Sequence, residues 1–360
     1  MTSQKNSLQY MTGLDGIRAI AALVVVFSHA EKHEFLPPLI RAAGGQSGVM
    51  LFFSLSGFLI TVLYIDREVS MAGAIKYATA RFARIYPIYF LVILCSFIIY
   101  TFIDPNFAYD MSFWEFVRHS LAAGTIGVFW SIPPEIQFYV VFLAIWCLIG
   151  SVRHGLLIFI MIAVPVLVFL SLQGKETATA FLTGNIQYFL AGLAAGLLFL
   201  RFGDQIRSRA TGFEIPILLA IFVVSWPNNF EAIFGWRHGF WDEDLIAVLT
   251  GLIVLFAAAG KDVLHGFLSS RIMRWFGTVS FFMYLVHVPL LVYAWELHQA
   301  LQINPYVAFG GFWIALILLS HLSLTYYEKP CRRIINGFVR PKVDRLSAER
   351  NRPRSETSVL

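Results

Sequence analysis

Long apolar runs separated by short polar stretches repeat along almost the whole chain. The pattern gives ten runs near the roughly 20 residues that an α-helix needs to cross a ~30 Å hydrocarbon core. They are residues 15–31, 48–65, 86–103, 135–150, 155–172, 185–201, 214–227, 244–260, 278–297 and 306–327. Because several runs are short or interrupted, eight to eleven spans fit the pattern. It predicts an all-α, polytopic bundle of about ten transmembrane helices.

Composition supports this prediction. Of the 360 residues, 58% are hydrophobic and only 14% are charged, whereas soluble domains carry about 25% charged residues. The first apolar run is expected to be retained rather than cleaved as a signal peptide, because no small-residue cleavage site follows His29. Three cysteines, Cys95, Cys147 and Cys331, lack paired ligand spacing. Neither a disulfide framework nor a metal site is therefore expected.

Basic residues distribute unevenly between the two sides that ten helices would define. Of the 27 lysines and arginines, 22 fall on the side of the N-terminus and five on the other. Since cytoplasmic loops are rich in lysine and arginine, both termini are predicted to be cytoplasmic. The net charge of +5 then reflects membrane topology, and a nucleic-acid partner has little support.

Two regions are distinguished along the chain. Residues 1–335 are predicted to form the transmembrane domain, and residues 336–360 a basic cytoplasmic tail. The tail is polar from Pro341 onward, so we expect it to be disordered and able to lie on anionic lipid. The largest external segment, 104–134, could form an interfacial helix or a cap. Aromatic residues there and in 228–243 could stack on sugar rings, but most fit a membrane-interface belt better.

Arg18 and His29 mark the two ends of the first apolar run, LDGIRAIAALVVVFSH. Their eleven-residue separation places them on one helix face, ~16 Å apart along the axis. A histidine near a helix end often serves only in packing or at the interface. Ionisable groups inside a span, however, usually face a cavity and carry function. Both interpretations stay open on this pattern alone.

Arg81 and Arg84 lie one helical turn apart at the start of the third run. They fit cytoplasmic anchors, and their pairing also makes a fork suited to the phosphates of a cofactor. Glu135 follows two prolines that favour a helix start. It could cap that helix, or it could form an acid/base pair with His29, which is predicted at the same side of the membrane.

His287 lies near the middle of a span, three residues after Tyr284. A buried structural hydrogen bond and a role in the site are both compatible with this position. In the second run, Ser54, Ser56 and Gly57 are interpreted mainly as small residues for close helix packing. Glu328, near the end of the last span, is interpreted as an interface residue.

Taken in order, these motifs are more specific than any one of them. They are an arginine and a histidine with ten residues between them, FF-x-x-SGFLI, R-x-x-R, W-S-x-x-x-E-x-x-F-Y, G-x-x-S-x-x-x-Y-L-x-H-x-P and a closing E-x-P. Together they resemble the acyltransferase-3 family of integral-membrane acyltransferases, over about residues 13–332. Two positions depart from the family pattern, Phe281 where tyrosine is common and Ile132 where leucine is usual.

The resemblance implies transfer of an acyl group, usually acetyl, from cytoplasmic acyl-coenzyme A to a hydroxyl of a lipid-linked or exported glycan or another envelope molecule. Acyl-coenzyme A is then the donor, no metal is involved, and the protein is a multi-pass protein of the bacterial plasma (inner) membrane. Some members carry a fused SGNH-type hydrolase-like domain, and we expect none here. The family's arginine and histidine match Arg18 and His29, its R-x-x-R matches Arg81 and Arg84, and its acidic residue matches Glu135. Further matches in the motifs are expected to support the substrate: Ser131, Tyr139, Tyr284 and His287.

The expected mechanism places coenzyme A phosphates on Arg81 and Arg84, with Arg18 lining the donor path. His29 is the expected general base, and Glu135 would orient it or hold the acceptor. Direct transfer and a transient acyl-enzyme are both compatible with the sequence. The alternative is a transporter or permease that uses His29, Glu135 and His287 as a proton or substrate path. The acyl chain, the acceptor and the oligomeric state stay open.

Overall fold

A computed structural model describes residues 11–36, 45–150, 182–209, 215–216, 244–260 and 263–350. Within these ranges the regular secondary structure is entirely helical. The main helices are α1 (Thr12–Lys32), α2 (Gly45–Tyr64), α3 (Met71–Phe102), α4 (Phe113–Ser120), α5 (Ile132–Gly150), α6 (Ile186–Arg209), α7 (Asp244–Ala259), α8 (Val263–Leu268), α9 (Arg271–Leu301), α10 (Pro305–Leu322) and α11 (Lys329–Arg350). Two 3₁₀ segments, Gly127–Ser131 and Leu182–Gly184, and a π-helical turn, Ser323–Glu328, complete them.

The all-α, polytopic prediction is confirmed. In the described ranges, seven helices are long and apolar enough to cross a membrane, and α7 is apolar but only 16 residues long. Eight of the ten predicted runs thus correspond to helices. The run 155–172 lies outside the described residues, as does nearly all of 214–227. The total of ten helices and the cytoplasmic termini stay predictions.

Glycines allow the central helices to touch backbone to backbone. A Cβ atom on Gly277 of α9 would lie 2.1 Å from the carbonyl oxygen of Asp15 in α1. Likewise, a Cβ on Gly57 of α2 would lie 2.2 Å from the carbonyl oxygen of Phe189 in α6. Small residues permit such close approach in membrane helices. Helix α1 is therefore tightly joined to α9, and α2 to α6.

Ser54 and Gly57 confirm the close packing predicted for α2. The Ser54 hydroxyl lies 2.8 Å from the Thr250 hydroxyl and donates to the Tyr188 carbonyl at 3.0 Å. Ser56 differs from its neighbours because it points toward α5 and forms a hydrogen bond there, described below. The polar positions of α2 therefore serve two different purposes.

The segment predicted to be external forms a cap that is folded onto the bundle. Helix α4 begins at Ser112, whose hydroxyl accepts a hydrogen bond from the Glu115 amide. The hydroxyl of buried Tyr109 donates to the Leu285 carbonyl of α9 at 3.0 Å. Phe107 is also buried, so these two aromatic residues do not belong to an interface belt. Trp114 is 72% exposed and remains compatible with one. Three further candidates lie outside the described residues: Phe230, Trp236 and Trp241.

The end of the chain differs from the predicted disordered tail. Residues 336–350 continue helix α11, with Pro341 inside it. This helix packs along α3, and tertiary packing of this kind stabilises a helix whose own composition is polar. Residues 351–360 lie outside the described part of the chain.

Glu328, which was interpreted as an interface residue, is buried in the protein. The side chain is only 4% exposed, and its Oε2 accepts a hydrogen bond from Arg332 at 3.0 Å. It ends the π-helical turn Ser323–Glu328, a local geometry that is frequent at functional sites. The pairing with Arg332 explains how a carboxylate is tolerated there.

Candidate active site

A pocket lies between α1, α2, α3, α5 and α9. It is lined by apolar and polar side chains in equal numbers. The apolar ones are Val49, Phe52, Phe53, Leu55, Ile85, Ile132 and Phe281, and the polar ones are Arg18, Ser56, Arg84, Ser131, Glu135, Ser280 and Tyr284. Five residues selected from the sequence therefore share one cavity, although they come from four separate parts of the chain.

Glu135 is held in this pocket by two hydroxyl groups. Its Oε1 accepts hydrogen bonds from Ser56 at 2.7 Å and from Tyr139 at 2.5 Å. Tyr139 lies one turn further along α5, so the two side chains share a helix face. Ser56 reaches across from α2. The carboxylate thus joins α2 to α5.

Arg18 forms an ion pair with Asp15, which lies one turn earlier in α1. The Arg18 Nη1 lies 3.1 Å from the Asp15 Oδ1, and both side chains are largely buried. A nearby carboxylate lowers the cost of keeping a guanidinium inside the bundle. The sequence LDGIR already contained this i, i+3 pair, so spacing alone could have identified Asp15.

The two arginines that were predicted to form a fork lie in different surroundings. Arg84 lines the pocket. The Arg81 guanidinium lies instead over the rings of Tyr64 and Tyr139, with its carbon 5.9 and 5.7 Å from the ring centroids. Such cation–π contacts stabilise a buried cation. Arg81 therefore supports Tyr139, which in turn holds Glu135.

Tyr284 attaches α9 to the 3₁₀ segment before α5, and Ser131 forms a hydrogen bond within that segment. The Tyr284 hydroxyl donates to the Val128 carbonyl at 2.8 Å, and the Ser131 hydroxyl donates to the same carbonyl at 3.2 Å. Tyr284 also lies against His287, with ring centroids 6.0 Å apart. It therefore links the pocket to the histidines described next.

His29 and His287 form a pair between α1 and α9. Their ring centroids are 5.0 Å apart and the rings meet edge to face. The Nδ1 of His29 lies 3.0 Å from the Val25 carbonyl, and the Nδ1 of His287 lies 2.8 Å from the Tyr284 carbonyl. Because a carbonyl can only accept, each Nδ1 carries a proton. In the neutral rings the lone pair is then on Nε2.

The Nε2 atom of His287 is an exception among buried polar atoms. The residue is fully buried, and within the described residues this nitrogen has no hydrogen-bond partner. Leaving a buried acceptor unpaired costs about 1–3 kcal/mol. Native structures keep few such atoms, and each calls for an explanation such as catalysis.

The predicted pairing of His29 with Glu135 is not formed. Glu135 is bound by Ser56 and Tyr139 in the pocket, whereas His29 contacts His287. The sequence gives the order of the helices but not which helix faces which, so the partner of His29 could not be derived from it. Ser56 was likewise missed, because its position in a stripe of small residues suggested packing only.

Comparison with known proteins identifies the family. The model of the family's acyltransferase domain matches residues 11–323. Similar proteins include the peptidoglycan O-acetyltransferase OatA of Listeria monocytogenes, which is 24% identical over 92% of this chain and 57% of its own length. The putative peptidoglycan O-acetyltransferase YrhL of Bacillus subtilis is 26% identical over 90% of this chain and 55% of its own length.

A third relative, the putative O-acetyltransferase SAS0844 of Staphylococcus aureus, is 25% identical over 91% of this chain and 58% of its own length. The chain therefore spans a little more than half the length of these relatives. No solved structure matches it. Since the family model covers most of its length, the chain belongs to the acyltransferase-3 family.

Proposed function

We propose that this protein is an integral-membrane O-acetyltransferase of the bacterial plasma membrane. It transfers an acetyl group from cytoplasmic acetyl-coenzyme A to a hydroxyl of a cell-envelope glycan or lipid-linked saccharide. Family membership supports acyl transfer, and the names of two relatives, a peptidoglycan O-acetyltransferase and a putative one, support a glycan acceptor. The observation that carries the proposal is a pocket with two arginines that Tyr284 connects to a pair of histidines.

The donor fits the composition of the pocket. Coenzyme A presents phosphates, and Arg18 and Arg84 bring guanidinium groups to the pocket from α1 and α3. Guanidinium groups bind phosphate oxygens in bidentate geometry. The Glu135 carboxylate can accept hydrogen bonds from the amides of the pantetheine arm, and the apolar wall suits the rest of that arm. Arg81 contributes indirectly through Tyr139.

His29 is the proposed general base. The acceptor hydroxyl oxygen attacks the thioester carbonyl, and the His29 Nε2 takes the hydroxyl proton. The carbon–sulfur bond then breaks, and the coenzyme A thiolate receives that proton. The products are the acetyl ester and free coenzyme A. Imidazole suits this step because its ordinary pKa lies near neutral pH.

The proposal is tested with purified protein in proteoliposomes. The substrates are acetyl-coenzyme A labelled in the acetyl group, supplied on one side, and envelope glycans. We expect label on the glycan and stoichiometric release of coenzyme A. Absence of transfer with every short-chain acyl donor would overturn the proposal. Flux of solute without consumption of coenzyme A would instead favour the transporter hypothesis, in which His29, Glu135 and His287 form a path.

A further inference from the structure

We propose that His287 is a positioning residue for the acceptor. Its Nε2 accepts a hydrogen bond from a second donor group that neighbours the reacting hydroxyl. The site would therefore select acceptors with two adjacent hydrogen-bond donors, such as the vicinal hydroxyls of a sugar ring. This inference rests on the proposed function and specifies its acceptor class.

The first step is the tautomer that the structure imposes on both rings. Each Nδ1 donates to a carbonyl of its own helix, that of Val25 for His29 and that of Tyr284 for His287. Each neutral ring consequently presents an Nε2 that accepts and does not donate. Two acceptors cannot satisfy one another, so each Nε2 needs a donor from another group.

The second step is the number of donors required. A single hydroxyl carries one proton and can donate to one nitrogen only. The His287 Nε2 is buried and has no partner among the described residues, and its ring lies 5.0 Å from that of His29. Vicinal hydroxyl oxygens are separated by about the length of a hydrogen bond, roughly 2.8 Å. A diol can therefore offer one proton to each ring.

The third step assigns different roles to the two rings. His29 is half-buried, whereas His287 is fully buried. Burial disfavours a charged imidazole, and two adjacent imidazolium ions would repel each other. Only one ring can therefore take the hydroxyl proton during transfer. His29 takes it, and His287 stays neutral and holds the neighbouring donor.

The fourth step is the rigidity of the pair. Helices α1 and α9 are in backbone contact through Gly277 and Asp15. The ring of Tyr284, whose carbonyl binds His287, is itself tied to Val128. The two rings are thus held at a fixed separation, as the alignment of a hydroxyl for attack requires.

The test uses two substitutions of His287 that separate its nitrogens. In H287N the shorter amide can keep the hydrogen bond that Nδ1 makes to the Tyr284 carbonyl, but it removes the acceptor at Nε2. In H287Q the longer amide places an acceptor oxygen near the Nε2 position. Both proteins are assayed for transfer to the glycan that the wild type acetylates, with KM measured separately for the glycan and for acetyl-coenzyme A.

We expect H287N to raise the KM for the glycan about tenfold, the value of one hydrogen bond, without changing the KM for acetyl-coenzyme A. H287Q should restore most of that loss. An unchanged glycan KM in H287N, or equal losses in both variants, would overturn the proposal.

A measurement on the wild-type protein covers the case in which the variants do not fold. The glycan is compared with an analogue that lacks the hydroxyl adjacent to the acetylated position. A roughly tenfold higher KM for this analogue is expected, and an equal KM would overturn the inference. Failure of the proposed function would look different, because the wild type would then transfer nothing to either compound.

Discussion

The cap and the histidine pair each contain a fully buried histidine, and the two are used in opposite ways. In the cap, the His119 Nδ1 donates to the Glu115 carbonyl at 2.7 Å, and the Nε2 accepts from the Ile126 amide at 3.2 Å. In the pair, His287 uses Nδ1 only. A histidine with both nitrogens bonded holds a fold together. One with a buried, unpaired nitrogen is a candidate for binding a substrate.

The neighbours of the two rings support the same distinction. The ring of His119 lies 5.4 Å from that of Phe129, and a Cβ on Gly124 would overlap it at 2.0 Å. The cap is therefore built closely around this histidine. His287 contacts a second histidine. Unlike the ring of Phe129, an imidazole can accept and release protons. We therefore expect substitutions in the cap to affect stability and substitutions in the pair to affect activity.

The largest effect is expected for His29→Gln. Removal of a general base costs roughly 10²–10⁴-fold in rate, so transfer should fall at least a hundredfold. Thermal unfolding in detergent should stay close to that of the wild type, because the ring is only half-buried. A folded variant with normal turnover would contradict the catalytic role that the comparison gives to the histidine pair.

Next in size is the effect of Arg84→Gln. Loss of a charged hydrogen bond to phosphate corresponds to about 1.5–3 kcal/mol, so the KM for acetyl-coenzyme A should rise tenfold or more. Arg81→Gln is the matched control, one turn away on the same helix. Since Arg81 lies over two tyrosine rings, we expect it to lower the unfolding temperature more than Arg84→Gln does. Equal KM values for acetyl-coenzyme A in the two variants would contradict the different roles given to Arg84 and Arg81.

A purely structural effect is expected for His119→Ala. The variant loses two hydrogen bonds and the contact with Phe129, and such losses typically cost about 2–3 kcal/mol of the free energy of unfolding. Thermal or denaturant unfolding measures this. Activity per folded molecule should change less than threefold, in contrast to His29→Gln. A folded His119→Ala protein without activity would show that the cap takes part in the reaction.

The smallest effect concerns pH. Burial lowers the pKa of His119 below its ordinary value of 6.5, even though hydrogen bonding to Glu115 acts in the opposite direction. The unfolded chain therefore binds a proton more readily than the folded cap does. The stabilisation is complete above about pH 6.5 and decreases as the pH falls below it. Protection of the cap from limited proteolysis should decrease over this range in the wild type and less so in His119→Gln.

The sequence predicted the features of the fold and of the site that arise within one helix. It did not predict the contacts between helices. Apolar run length gave the helices, and motif order gave the candidates Arg18, His29, Arg84, Glu135 and Tyr284. Contacts between helices could not be derived, because hydropathy does not say which helix faces which. For that reason the pairing of His29 with His287 and the role of Ser56 were found only in the structure.

The C-terminal region also shows that tertiary contacts could not be derived from the sequence. Composition predicted disorder from residue 336, but packing of α11 along α3 makes residues 336–350 helical. The burial of Glu328 also depends on a partner, Arg332, that the span pattern ignored. Local propensity was overridden by tertiary contact in both cases.

The glycine contact between α1 and α9 constrains which walls of the pocket can move. Gly277 lies against the backbone of Asp15, so these two helices form one rigid unit. This unit carries Arg18 and both histidines. The two helices cannot separate without breaking that contact. We therefore expect any movement that widens the pocket to occur in the other walls, among them α3 and α5, which carry Arg84 and Glu135. We expect the hydrogen bond from Ser56 to Glu135 to break when the donor enters or leaves.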